Sequence, residues 1–171
     1  MKKILAILVL GIFMTSCNQE KTAYVDTSKL IQEYKEMKEV EAEFTTKSDS
    51  VRQQLDEAAS QFQQEVQEYQ SSMNTMSQSE RQEKEQELMR KQQMLQQQQQ
   101  AQGGQLRAQS DAAVDSIVTK VKDYVQDYGE DNGYTYIFGS NDSANSIMFA
   151  KDGKDLTQEI LEKLNADYDA N

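Results

Sequence analysis

From Thr27 to Tyr128 the chain contains no proline, and its apolar residues recur in steps of three and four. Proline is the strongest helix breaker, so a stretch of this length without one is free to stay helical. Leu30, Met37, Phe44, Val51 and Ala58 hold one heptad position. Tyr34, Leu55, Phe62, Tyr69 and Met76 hold a second, interrupted by Glu41 and Ser48. A sustained seven-residue repeat marks a supercoiled seam between helices. The pattern pauses at Ser77-Gln78-Ser79-Glu80, where Ser77 with Glu80, or Ser79 with Gln82, has capping-box spacing. A second apolar stripe then runs through Leu88, Leu95, Leu106, Ala113, Val114, Ile117, Val121, Tyr124, Val125 and Tyr128.

In an antiparallel pair, facing residues have nearly constant index sums. Tyr69 with Leu88, Phe62 with Leu95, Val51 with Leu106 and Val40 with Ile117 share one sum. Phe44 with Val114, Met37 with Val121 and Tyr34 with Tyr124 share the next. That register favours a long antiparallel α-helical coiled-coil hairpin, residues 29–128 with its tip near 77–80, over a parallel coiled coil or a compact bundle. At about 1.5 Å per residue each arm would reach roughly 70 Å. Gln96 to Gln100 and Gln102-Gly103-Gly104-Gln105 erode the returning stripe, and Gly103 and Gly104 are hinge candidates.

The rest reads as a small β/α base, residues 23–28 with 129–171. Ala23-Tyr24-Val25-Asp26 looks like a short strand, and Asp26, Thr27 or Ser28 can cap the adjoining helix. Gly129 and Gly133 end the long helix. Tyr134–Phe138 and Ser146–Ala150 read as strands, Gly139–Asn145 as a loop and Lys151–Lys154 as a turn. Asp155 caps a last helix with Leu156, Ile160, Leu161 and Leu164 on one face. So small a body has few core residues and exposed strand edges, which self-association would cover. The fold class is mostly α with a small β oligomerisation base.

The N-terminus has the form of an export signal over residues 1–16: Lys2-Lys3, an apolar run from Ile4 to Met14, then Thr15-Ser16. The run is too short to span a bilayer. Met14-Thr15-Ser16-Cys17 resembles a bacterial lipobox, which implies cleavage before Cys17 and acylation of that residue, with 17–22 as a lipidated tether. Cys17 is the only cysteine, so no internal disulfide can form. Loss of Lys2 and Lys3 takes the formal charge from −11 to −13, with 16 basic residues left against 29 acidic. Such an acidic chain is a poor ligand for nucleic acid. With no histidine and no other cysteine, the mature chain lacks nitrogen and sulfur metal ligands and the base of a nucleophilic triad. The reading is of a non-enzyme with no catalytic residues, no metal and no cofactor.

Taken together, Ala23 to Leu30, the turn region Met76 to Leu88, the strand Tyr134–Phe138, Ile147–Ala150 and Asp155-Leu156-Thr157 resemble the Skp/OmpH family of periplasmic chaperones over essentially the whole mature chain. The resemblance implies a jellyfish-like homotrimer, with hairpins extending from a β body around a cavity. It implies an ATP-independent holdase for unfolded outer-membrane proteins in the periplasm. With the lipid, the expected place is a bacterial envelope membrane, the outer membrane first. The best-known members are basic, so any attraction they have for acidic clients does not carry over.

Methionine suits a holdase because its unbranched, polarisable chain fits many shapes. Met73, Met76, Met89 and Met94 cluster toward the expected tip, with Phe62 and Tyr69 just inward, and these six are the client-contact candidates. Phe62 and Tyr69 also face leucines in the register above, which gives them a packing role; Met89 and Met94 lie off the main seam. The alternative function is a lipid-anchored coiled-coil spacer or adaptor in the cell envelope. A spacer would carry a well-packed seam to its tip, whereas this seam is eroded by glutamine and glycine.

Overall fold

The computed structural model describes residues 20–141 and 146–170. Cys17 and the segment before it lie outside the described residues, as does most of the expected loop ahead of Ser146. The elements are β1 (Thr22–Asp26), α1 (Thr27–Glu33), α2 (Lys35–Ser72), α3 (Gln78–Asp131), β2 (Tyr136–Ser140) and α4 (Thr157–Ala170). The fold is mostly helical with a small sheet, as the sequence implies. The described residues fall into two compact units, one from residues 20–31 with 121–141 and 146–170, the other Gln32–Lys120.

The first unit is organised by β1. Its alternating pattern buries Ala23 and Val25, the period-two signature of a half-covered strand. On one side it pairs in parallel with β2, from Thr22↔Tyr136 to Asp26↔Ser140. On the other, the Tyr24 amide donates to the Lys154 carbonyl at 2.9 Å, and the Leu156 amide donates to the Tyr24 carbonyl at 2.9 Å. Both edges of β1 are thus satisfied. Leu156, Ile160, Leu161 and Leu164 are buried with Leu30 and Val121, so the apolar face read from the last helix is its core face.

Thr157 is the one buried polar residue of this core among those described. Its hydroxyl accepts from the Asp26 amide at 2.8 Å, and its amide donates to the Asp155 carboxylate at 2.9 Å. It therefore ties the end of β1 to the start of α4 while leaving no polar atom unpaired. Asp26 in turn accepts from the Lys29 amide at 3.0 Å and caps α1.

Four local expectations change. Ser146–Ala150 is not a strand. Apolar and β-branched content shows that a segment could pair, but the free edge of β1 is already taken by Lys154–Leu156. β2 starts at Tyr136, two residues late, because the Tyr134 amide still donates to the Gly129 carbonyl at 2.9 Å. Gly129 lies inside α3 and does not end it; a Cβ there would sit 3.3 Å from the Ile137 side chain, so the glycine lets that side chain approach the helix closely. Gly133, at φ +66°, is the residue that stops the helix. Finally, the first arm breaks at Tyr34, whose extended backbone (φ −64°, ψ 130°) separates α1 from α2.

Tyr128 in this unit is buried and donates its hydroxyl to the Glu159 carboxylate at 2.7 Å. Burial first, then this carboxylate neighbour, pushes its pKa from 10.0 to about 12. Because the folded value is raised, the stabilisation is complete below pH 10 and is lost as pH rises toward 12. Thermal melts of the wild type should fall across that window, and Tyr128→Phe should flatten the fall.

Candidate functional site

The second unit is built from α2 and the returning α3. The chain reverses over Met73–Ser77, at the near side of the expected tip, and Thr75 donates its amide to the Ser72 carbonyl at 2.9 Å. Of the two capping boxes offered by the sequence, Ser77 with Glu80 forms. The Ser77 amide donates to the Glu80 carboxylate at 2.8 Å, and the Glu80 amide donates to the Ser77 hydroxyl at 3.3 Å. These bonds to the charged form hold the Glu80 pKa below the usual carboxylate range.

Cross-helix ion pairs report the register. Lys91 donates to Glu65 at 2.5 Å near the outer half, and Lys120 donates to Glu36 at 2.6 Å at the inner end. The two pairs have the same index sum, one less than that of the expected Phe62–Leu95 and Val51–Leu106 pairs. The helices therefore run antiparallel without a slip from one bridge to the other. Lys91 also lies 3.2 Å from Glu87, which Lys84 reaches at 2.9 Å. Hydrogen bonds from Lys84 and Lys91 lower the Glu87 pKa, and those to Glu65 and Glu87 raise that of Lys91. These groups are solvent-exposed enough that the network specifies register more than it adds stability.

The seam itself is half-buried. Val51, Leu55, Phe62, Val66, Tyr69, Leu88, Leu95 and Leu106 all keep part of their surface in water, and only Tyr34, Met37 and Ile117 of this unit are fully buried. Along the rest of the seam, two helices leave each side chain partly in water. Each seam residue thus gains only part of the roughly 1.5–3 kcal/mol that full burial of a large apolar side chain contributes.

The six contact candidates separate accordingly. Phe62, Tyr69 and Met76 are half-buried in or beside the seam. The Tyr69 hydroxyl donates to Glu85 at 2.6 Å, which raises its pKa. Met73 is at the edge of exposure, while Met89 and Met94 expose 62% and 60% of their surface. The structure places these two methionines, which the repeat leaves off the seam, in open solvent on α3. Gly103 and Gly104 lie within α3, and a Cβ on either would meet nothing within 4 Å. Among the described residues no cluster of three or more acidic, cysteine or histidine side chains could hold a metal, and no helix is long and apolar enough to cross a membrane.

The sequence leaves apolar surface of the base uncovered in a single copy, but which residues of the other unit form it was not legible there. Tyr136 and Phe138 stack at 5.8 Å between ring centroids and are more than half exposed. Met148 and Phe149 expose 91% and 86%. With Ala23 and Ile147, the residues Phe138, Met148 and Phe149 line an open groove of about 700 Å³. The signal was present as the run Ile147-Met148-Phe149-Ala150, but a strand reading assumes a neighbour that this chain does not itself supply.

A family model described as "Outer membrane protein (OmpH-like)" matches residues 21–164. The fold is similar to a crystal structure from Caulobacter crescentus CB15 whose protein is named as a candidate OmpH-like outer membrane chaperone. That likeness has a TM-score of 0.78 at 15% identity, covering 86% of this chain and 85% of the other. At that identity it speaks for the fold. No curated protein sequence matches.

If the capping box holds the turn, Ser77→Ala should cost about 1 kcal/mol of helix stability, the typical loss for an N-cap. Hydrogen exchange should quicken at the amides of Ser79 and Glu80 and stay unchanged at Ile160 and Leu161; unaltered exchange at Ser79 and Glu80 would show that the box is idle.

Proposed function

The chain belongs to the OmpH-like outer membrane protein family, and on that footing we propose that it is an ATP-independent holdase for unfolded outer-membrane proteins. The observation that carries this reading is the exposure of Met89 and Met94 on a helix whose register is fixed by other residues. Large apolar groups that the pairing of α2 and α3 does not use are available to a partner. A thioether chain adapts to many apolar shapes, which suits weak, multipoint binding of segments with no common sequence. Met73 and Met76 extend this surface, and Phe62 and Tyr69 contribute their outer edges. Gly103 and Gly104 let the helix bend around clients of different size. The work needs no catalytic group, metal or cofactor. The acidic surface keeps a loaded complex soluble and does not select the client.

The proposed assembly is a homotrimer. Tyr136, Phe138, Met148 and Phe149 form an apolar patch that water covers poorly in a single copy, and burial between copies would supply the neighbour that Ser146–Ala150 lacks. Acylation at Cys17 would tether the protein at the periplasmic side of the envelope, with the outer membrane as the favoured site. More than one acyl chain makes such an anchor effectively permanent.

Suppression of aggregation of an unfolded β-barrel protein, followed by light scattering, tests the function. Met89→Gln with Met94→Gln should weaken suppression several-fold with helicity unchanged; full retention would remove these methionines from the contact surface. For the assembly, the mass in solution of the mature chain without lipid should equal three copies. Phe149→Glu should shift it toward one. A wild-type monomer would end the trimer reading.

A further inference from the structure

Two grooves flank the hairpin at the level of Leu106, and they differ in chemistry. One carries Glu41, Asp49, Arg52, Arg107 and Asp111 on its walls. The other, of about 300 Å³, is lined by Ser50, Val51, Gln102, Gln105, Leu106 and Gln109. Its single charged neighbour is Lys47, whose ammonium is bound to Glu43 at 2.6 Å and lies 4.8 Å from the centre of the Phe44 ring. The wall is therefore electrically neutral in a molecule where 27% of residues are charged.

Gln102, Gln105 and Gln109 succeed one another at steps of three and four, so their amides stand in a row along one face of α3. The Gln102 carbonyl oxygen is buried and has no hydrogen-bond partner among the described residues. A buried acceptor left unpaired is costly, and rotation of the amide toward the groove would let an incoming N–H satisfy it. Each side-chain amide offers one acceptor and two donors, which is the complement of a peptide group. From Gln102 to Gln109 the helix rises about 10 Å, the length of about three residues of extended chain at about 3.3 Å each.

We propose that this groove binds an extended segment of unfolded polypeptide through its backbone, with the glutamine amides pairing to main-chain N–H and C=O groups and Val51 and Leu106 forming the floor. The proposal rests on the holdase reading and deepens it. The methionines take apolar side chains; the amide row takes the feature every unfolded chain shares, whatever its charge. A hold on the backbone is indifferent to the charge of the client's side chains.

The test uses the full mature chain and two synthetic peptides of the same uncharged, β-branched sequence, one of them methylated at alternate backbone nitrogens. Binding is read by fluorescence anisotropy. Wild type should bind the methylated peptide roughly three- to ten-fold more weakly, the worth of a lost backbone hydrogen bond or two. The triple variant Gln102→Met, Gln105→Met and Gln109→Met keeps side-chain length and helix propensity, and should bind both peptides alike. The single variant Gln102→Met, which perturbs the helix least, should narrow the difference. Equal binding of both peptides by wild type, or full discrimination by either variant, overturns the groove assignment. So does failure to bind either peptide by a chain that still suppresses aggregation of an unfolded β-barrel protein. Failure in that aggregation assay as well would instead remove the holdase reading beneath it.

Discussion

The structure depends on a seam between two helices that, along most of its length, leaves its apolar side chains half in water. Seven-residue spacing brings Val51, Leu55, Phe62, Leu95 and Leu106 toward the partner helix, yet all five remain partly wet. A third layer would be needed to close over them. The hairpin is accordingly held by many partial burials, with Glu65–Lys91 and Glu36–Lys120 keeping it from sliding. Its stability is spread thinly along its length, and local opening is the natural consequence. A limb that must yield to irregular partners has this kind of energetics; a deeply packed bundle does not.

The sequence made the helices legible because periodicity is a property of the chain itself. The index relation among apolar residues anticipated the ion-pair register to within one residue or two, and the apolar face read on the last helix is the face that is buried. What could not be read were features decided by distant partners. Ser146–Ala150 has strand composition, but whether it pairs depends on an edge that Lys154–Leu156 already occupies. Gly129 looked like a stop and is instead a clearance for Ile137. The break at Tyr34 has no glycine or proline to announce it. Thr157, which joins β1 to α4, is indistinguishable in the sequence from any other helix-start threonine.

The candidate surface was legible in the same uneven way. Met89 and Met94 stood out because they miss the repeat, and a residue that misses a repeat in a two-helix structure has nowhere to go but outward. Phe62 and Tyr69 fit the repeat, so composition alone could not separate packing from contact; their half-burial leaves an edge of each ring for either use. Gln102 and Gln105 looked in the sequence like simple erosion of the seam, and Gln109 drew no reading at all. Only the pairing of α2 with α3 shows that these side chains share a wall with Ser50 and Val51.

The parallel pairing of β1 has a consequence in time. Its partners lie more than a hundred residues downstream, and the contacts of Lys21 with Asn132 and of Lys154 with Thr22 span 111 and 132 positions. A chain delivered N-terminus first presents β1 earliest and must hold it unpaired until almost everything else has emerged. Helices form locally within about a microsecond, far faster than residues are added at roughly 5–20 per second. The hairpin can therefore zip during delivery, bringing Val121 and the residues beyond it back toward the waiting strand. The long insertion between β1 and β2 thus works as its own loop-closing device, shortening an otherwise slow search between the two ends of the chain.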